Sequence, residues 1–152
     1  MLDNAIVSMD EILKYENRDR LYQNLIDNHN FIKKSESYEE RLFGNFGVTL
    51  EGPDFLLSYV SDRGIIEIYI ISKEKKHELT DLSFIRDFLY HPENMNSGDL
   101  QYLTNEERVK LLNDFLISNY EKIKTLFNGA NYEKTKEQIN DLLRESYFRK
   151  QQ

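Results

Sequence analysis

The chain has 152 residues, with 27 acids against 20 bases, three histidines, two prolines and neither cysteine nor tryptophan. That length suits a single domain, 1–152, able to bury a core without staples, and the lack of cysteine removes disulfides, thiolate nucleophiles and cysteine-ligated zinc. A net charge of −7 argues against nucleic acid, whose phosphates require a basic face, and no apolar run approaches the roughly 20 residues of a membrane span.

Ser8-Met9-Asp10-Glu11 has the form of a capping box, and apolar residues at 12, 13, 15, 21, 22, 25 and 26 predict a helix over about 9–29, interrupted by the polar stretch Glu16–Arg20. Residues 33–41 are charged with few apolar groups and read as a loop. The period then becomes two. Phe46, Val48 and Leu50 alternate with Gly47, Thr49 and Glu51; Gly52-Pro53 is a turn; Phe55–Val60 and Ile65–Ser72 form two further strands around the loop Ser61-Asp62-Arg63-Gly64. Three or four antiparallel strands over about 43–72 are expected.

Thr80 or Asp81 caps a short helix that runs to Tyr90 and stops at His91-Pro92. Thr104-Asn105-Glu106-Glu107 is a second capping box. It opens a helix of about five turns through Phe127, halted at Asn128-Gly129. Asn131 then caps a last helix, so that 105–149 reads as an αα-hairpin. Helix, strands and helices in separate runs predict an α+β fold, a small sheet packed by an N-terminal helix and by C-terminal helices.

The tests for chemistry are negative. His29, His77 and His91 have no partner at metal-ligand spacing, no serine sits in a nucleophile elbow, and Gly44 and Gly47 lack the lysine and helix of a phosphate loop. Glu67 lies between isoleucines, but an alternating strand gives it a wet face. No cofactor, no metal and no catalysis are expected. Nor does a basic stripe emerge at the C-terminus, where Lys122, Lys124, Lys134, Lys136 and Lys150 interleave with acids.

The most suggestive segment is 80–103, where Asp81, Asp87, Glu93 and Asp99 face only Arg86, with Tyr90, Met95 and Tyr102 beside them. Aromatic and methionine side chains next to charge have the makeup of a protein interface. These seven residues are the candidate partner-binding set, and their acidity selects a basic protein partner.

The run Phe46-Gly47-Val48, then Phe55 through Gly64, then Ile66-Glu67-Ile68, framed by helices, resembles the small α+β immunity proteins of bacterial polymorphic and contact-dependent toxin systems. The resemblance covers about 43–72, and no motif transfers individual interface residues. It implies a cytoplasmic, non-enzymatic protein that binds and neutralises a cognate toxin domain, consistent with a first segment (Met1–Asn4) unlike a signal peptide. The alternative is a phage or bacterial regulatory adaptor acting through its C-terminal helical hairpin. Leu111, Phe115, Leu126 and Phe148 lie off the hairpin stripe. A monomer fits the first reading and a homodimer the second.

Overall fold

Ile12, Tyr15, Arg18 and Leu21 recur every three residues, and the backbone adopts that period. A computed structural model describes residues 11–39, 41, 44–95 and 98–151, and opens with two 3-10 turns, Glu11–Leu13 and Tyr15–Leu21, followed by a short helix α1, Gln23–Asn28. In a 3-10 turn residues three apart eclipse on one side. Tyr15, Arg18 and Leu21 therefore all point inward. This replaces the continuous helix expected over 9–29; the Ser8 box lies outside the described residues.

The chain then forms five strands: β1 (Ile32–Glu39), β2 (Asn45–Glu51), β3 (Leu56–Asp62), β4 (Ile65–Ile71) and the two-residue β5 (Thr80–Asp81). They make one antiparallel meander in the order β1-β2-β3-β4-β5. The sheet is larger than the three or four strands read from the sequence. The segment 33–41, expected as a loop, supplies β1. Every residue of β1 is exposed, so it shows no hydrophobic alternation. It is held by its ladder to β2 and by the 3-10 turn above it. Tyr38 stacks on Tyr15 with ring centroids 4.1 Å apart, and Glu36 accepts from Arg18 Nε at 2.6 Å.

Three helices follow α2 (Leu82–Tyr90) and the 3-10 turn Pro92–Asn94: α3 (Asn105–Ser118), α4 (Tyr120–Phe127) and α5 (Gly129–Gln151). Asp81 caps α2 and Thr104 opens α3 with a complete capping box, as the sequence predicts. The expected five-turn helix to Phe127 is divided at Asn119. Its side-chain amide donates to the Phe115 carbonyl at 3.0 Å and to the Tyr90 hydroxyl at 2.9 Å, ending α3 there. Nor is Gly129 a left-handed stop. It is the first residue of α5, and a Cβ there would press on the Glu74 carboxylate. Asn131 donates instead to the Thr125 carbonyl, tying α5 back to α4. From there α5 packs on α4, α2 and the Pro92–Asn94 turn.

Alternation sorts the strands into two faces. Phe46, Val48, Leu50, Leu57, Tyr59, Ile66, Ile68 and Ile70 are buried against Leu21, Leu25, Leu82, Ile85, Leu112, Leu116 and Ile123. Fully buried Tyr59 reaches through this layer. Its hydroxyl donates to Asn113 Oδ1 at 2.7 Å, and Asn113 Nδ2 donates to the Leu21 carbonyl at 2.8 Å, joining sheet, α3 and the second 3-10 turn. Gly52 needs no positive φ. Its role is close approach, since a Cβ there would overlap the Phe31 ring.

Asn113→Ala is expected to leave the Tyr59 hydroxyl buried without an acceptor and to lower stability by about 1–3 kcal/mol, read from the urea midpoint. Gly52→Ala should cost a similar amount, about 1–3 kcal/mol, because the displaced ring belongs to the core; a Gly52→Ala protein as stable as the parent would show that the Phe31 contact is slack.

Candidate protein-binding surface

On the opposite face of the sheet the side chains are short over much of β1, β2 and β3. A shallow trough of about 420 Å³ runs along it, paved by Ser35, Ser37, Gly47, Thr49, Ser58 and Val60, and every lining residue belongs to β1, β2 or β3. One end of this face is acidic. Residues directly opposite in an antiparallel ladder share a face. Asp62 pairs with Ile65, Val60 with Glu67, and Tyr69 with Asp81. Asp62, Glu67, Tyr69 and Asp81 therefore project together.

Local chemistry fixes these positions. The β3–β4 connection places Arg63 at φ 51° and Gly64 at φ 86°, the conformation of a two-residue type I′ hairpin. Asn45 accepts from the Arg63 amide at 2.9 Å and donates to Asp62 at 3.1 Å. From the start of α3, Asn105 accepts from the Ile66 amide at 3.1 Å and donates to the Gly64 carbonyl at 3.0 Å, while Arg108 donates to the Ile66 carbonyl at 3.2 Å. The outer edge of β4 is thus closed by side chains over the stretch where β5 does not reach.

Within the cluster the Tyr69 hydroxyl donates to Glu67. Burial, that hydrogen bond and the charges of Glu67, Asp81 and Asp62 all push the Tyr69 phenol upward. Asp81 accepts from the Ser83 amide at 2.8 Å and from the Ser83 hydroxyl at 2.7 Å, both on Oδ1. Burial raises its carboxyl above the ordinary range, and the Ser83 bonds oppose that. Glu67 is exposed, as its place on an alternating strand predicts.

The seven residues singled out from the sequence separate in three dimensions. Asp81 stays in the acidic cluster. Leu100 and Gln101 close beside it, sharing a cavity of about 130 Å³ with Glu67, Asp81 and Ser83. The same loop carries Asp99, which pairs with Arg86 at 3.0 Å, and Tyr102, 85% exposed. Tyr90 and Glu93 are exposed as well, but Tyr90 closes the far end of α2, about 13 Å from Asp81 by the helical rise, and Glu93 lies beyond it. Two residues belong inside. Met95 is 0% exposed and anchors the Pro92–Asn94 turn in the core. Asp87 is buried, with His91 Nε2 at 3.3 Å. Neither side chain reaches the surface, because their helix and turn pack on α5 and the core. Glu67 and Tyr69 were legible as neighbours of Asp62 once hairpin and alternation are combined. Their meeting with Asp81 depends on β5, too short to leave a periodicity.

Beyond β5 lies a second concavity, about 480 Å³, between Glu78–Asp81 and α5. Leu79, Phe84, Ile139 and Leu143 give it apolar walls, and Tyr69 and Asp81 line it too. Lys136 Nζ lies 2.5 and 2.7 Å from the two oxygens of Glu78 and holds that carboxyl below its ordinary range. Among the described residues no group of three or more histidines or acids is placed to hold a metal, and no helix is long and apolar enough to cross a membrane. No family model, no curated protein and no solved structure matches this chain.

A carboxyl whose pKa is raised on folding costs stability above that pKa and regains it as pH falls through it. Asn is as good an N-cap as Asp. Asp81→Asn is therefore expected to match or exceed the parent in urea stability at pH 7, with the advantage shrinking on acidification; a clear loss at pH 7 would mean that the charge itself holds α2.

Proposed function

We propose that this chain is a non-enzymatic binding protein that engages a basic protein domain, and that it acts as an immunity protein neutralising a cognate bacterial toxin domain in the cytoplasm. One observation carries the reading. Asp62, Glu67 and Asp81 converge at the end of a sheet face paved by short side chains, with Asp99 and Tyr102 on the adjoining loop. Asp62, Glu67 and Asp81 stand on a hairpin, a strand and a helix cap rather than on a loose segment. A partner therefore meets a preformed field and spends little free energy on ordering it. Complementary charge raises the rate of encounter, and a few buried anchors supply the affinity. The resemblance of the 43–72 strands to immunity proteins agrees in size, acidity and α+β class.

The adaptor reading has one observation in its favour. Of the four apolar residues that lie off the hairpin stripe, Phe115 is buried and Leu111 and Leu126 pack on the core, but Phe148 is exposed beside Tyr147, ring centroids 5.8 Å apart. Light scattering after size exclusion separates the two: a dimer supports the adaptor, a monomer the immunity protein.

The direct test is co-expression with the product of the adjacent gene, which this reading expects to be a toxin domain. Restored growth and a co-eluting complex are expected, and continued growth arrest with no complex would refute the reading. In the purified complex, Asp62→Lys with Glu67→Lys should slow association about tenfold or more at low salt and flatten its salt dependence; unchanged association would remove this face from the interface.

A further inference from the structure

The cleft between β5 and α5 combines apolar walls with an unbalanced charge. Leu79 is 56% exposed at its mouth, in front of Phe84, Ile139 and Leu143. Its lining carries two carboxylates, Glu78 and Asp81, against one base, Lys136, and Lys136 is committed to Glu78 at 2.5 Å. On Asp81 both Ser83 bonds fall on Oδ1, and Oδ2 accepts no hydrogen bond among the described residues. A volume of about 480 Å³ lies within the range of pockets that take a side chain or a small ligand. The cleft is also continuous with the acidic face, because Tyr69 and Asp81 line it and belong to that face.

We infer that this cleft is an anchor site for an apolar side chain carried next to a cationic group, the apolar part lying on Leu79, Ile139 and Leu143 and the cation meeting Asp81. The inference rests on the proposed function in taking that side chain from the basic partner. An aromatic or aliphatic anchor in a pocket ringed by polar groups is the usual form of an interface hot spot. The geometry selects against an acidic partner residue, which would meet the Asp81 carboxylate while Lys136 is already held by Glu78, and against a purely polar one, which would leave the apolar walls wet.

The cleft can be read without the partner. In an NMR titration of the intact chain, 2-phenylethylamine carries the ring and the cation together, and 2-phenylethanol is its neutral counterpart. Saturable shifts are expected at Leu79, Tyr132, Ile139 and Leu143, with a dissociation constant on the order of millimolar, as a ligand this small reaches, and several-fold weaker binding of the alcohol. Asp81→Asn, which keeps the helix cap, should bring the amine down to the level of the alcohol, and Leu79→Ser, at an exposed position, should weaken both. Shifts scattered over all the acidic surface, or equal binding of amine and alcohol to the parent protein, would overturn the assignment. In the growth assay, rescue that survives both substitutions unchanged overturns the anchor and leaves the proposed function standing. Failure of the parent protein to rescue refutes the function, and the titration still decides the chemistry of the cleft.

Discussion

A strand sends alternate side chains to opposite sides, and in this sheet one side is largely apolar or aromatic while the other is mostly short or charged. Everything else is a response to that asymmetry. The apolar side must be covered, and α1, the 3-10 turns, α2, α3 and α4 supply the cover from both ends of the sequence. Tyr59 shows how closely the layers are matched. It is too long for the apolar layer alone, and its hydroxyl is accommodated only because Asn113 stands opposite and passes a second hydrogen bond to the Leu21 carbonyl. A hydroxyl that deep without a partner would oppose folding, so the link also fixes the height of α3 above the sheet.

The uncovered side inherits its character from the same constraint. Residues that alternate with the buried isoleucines and leucines carry lighter packing demands; along most of β2 and β3 they are glycine, threonine, serine, valine and aspartate, followed on β4 by Glu67 and Tyr69, while at the Leu56–Ile71 pair this face is apolar and buried. Their grouping into an acidic end follows from register. The type I′ turn at Arg63-Gly64 sets the β3–β4 pairing, and a shift of one residue would send Glu67 and Tyr69 into the core. Asn45, Asn105 and Arg108 hold that turn from two directions. The acidic surface and the hydrophobic core are thus two readings of one strand alignment, and a partner that recognises the first depends on the second.

Much of this could be read in the residues themselves. The α+β class, the three central strands, the hairpin at Asp62–Gly64, the Asp81 cap and the Thr104 box all announce themselves through period, glycine and capping chemistry. What was hidden had no local signature. β1 carries no alternation because neither of its faces is buried, and only its pairing with β2 makes it a strand. The break at Asn119 lies inside an unbroken apolar stripe, and there the side-chain amide bonds both the Phe115 carbonyl and Tyr90, 29 positions earlier. Composition alone could not separate Asp81, at the surface, from Asp87, in the interior; both stand among apolar neighbours on or beside the same short helix. Met95 reads as an interface residue in sequence and is a core residue in space because the Pro92–Asn94 turn folds it inward.

The outermost strand has a consequence of its own. Among the described residues no strand pairs with the far edge of β1, and such an edge is an invitation for another chain to extend the sheet and begin fibrillar growth. Two lysines stand where the ladder with β2 slips out of step, between Lys33 and Ser35, and the strand is polar almost throughout. An incoming strand would have to follow a kinked template and desolvate two ammonium groups. Charge and an irregular ladder thus oppose edge-to-edge pairing, a safeguard written into a segment that contributes almost nothing to the interior.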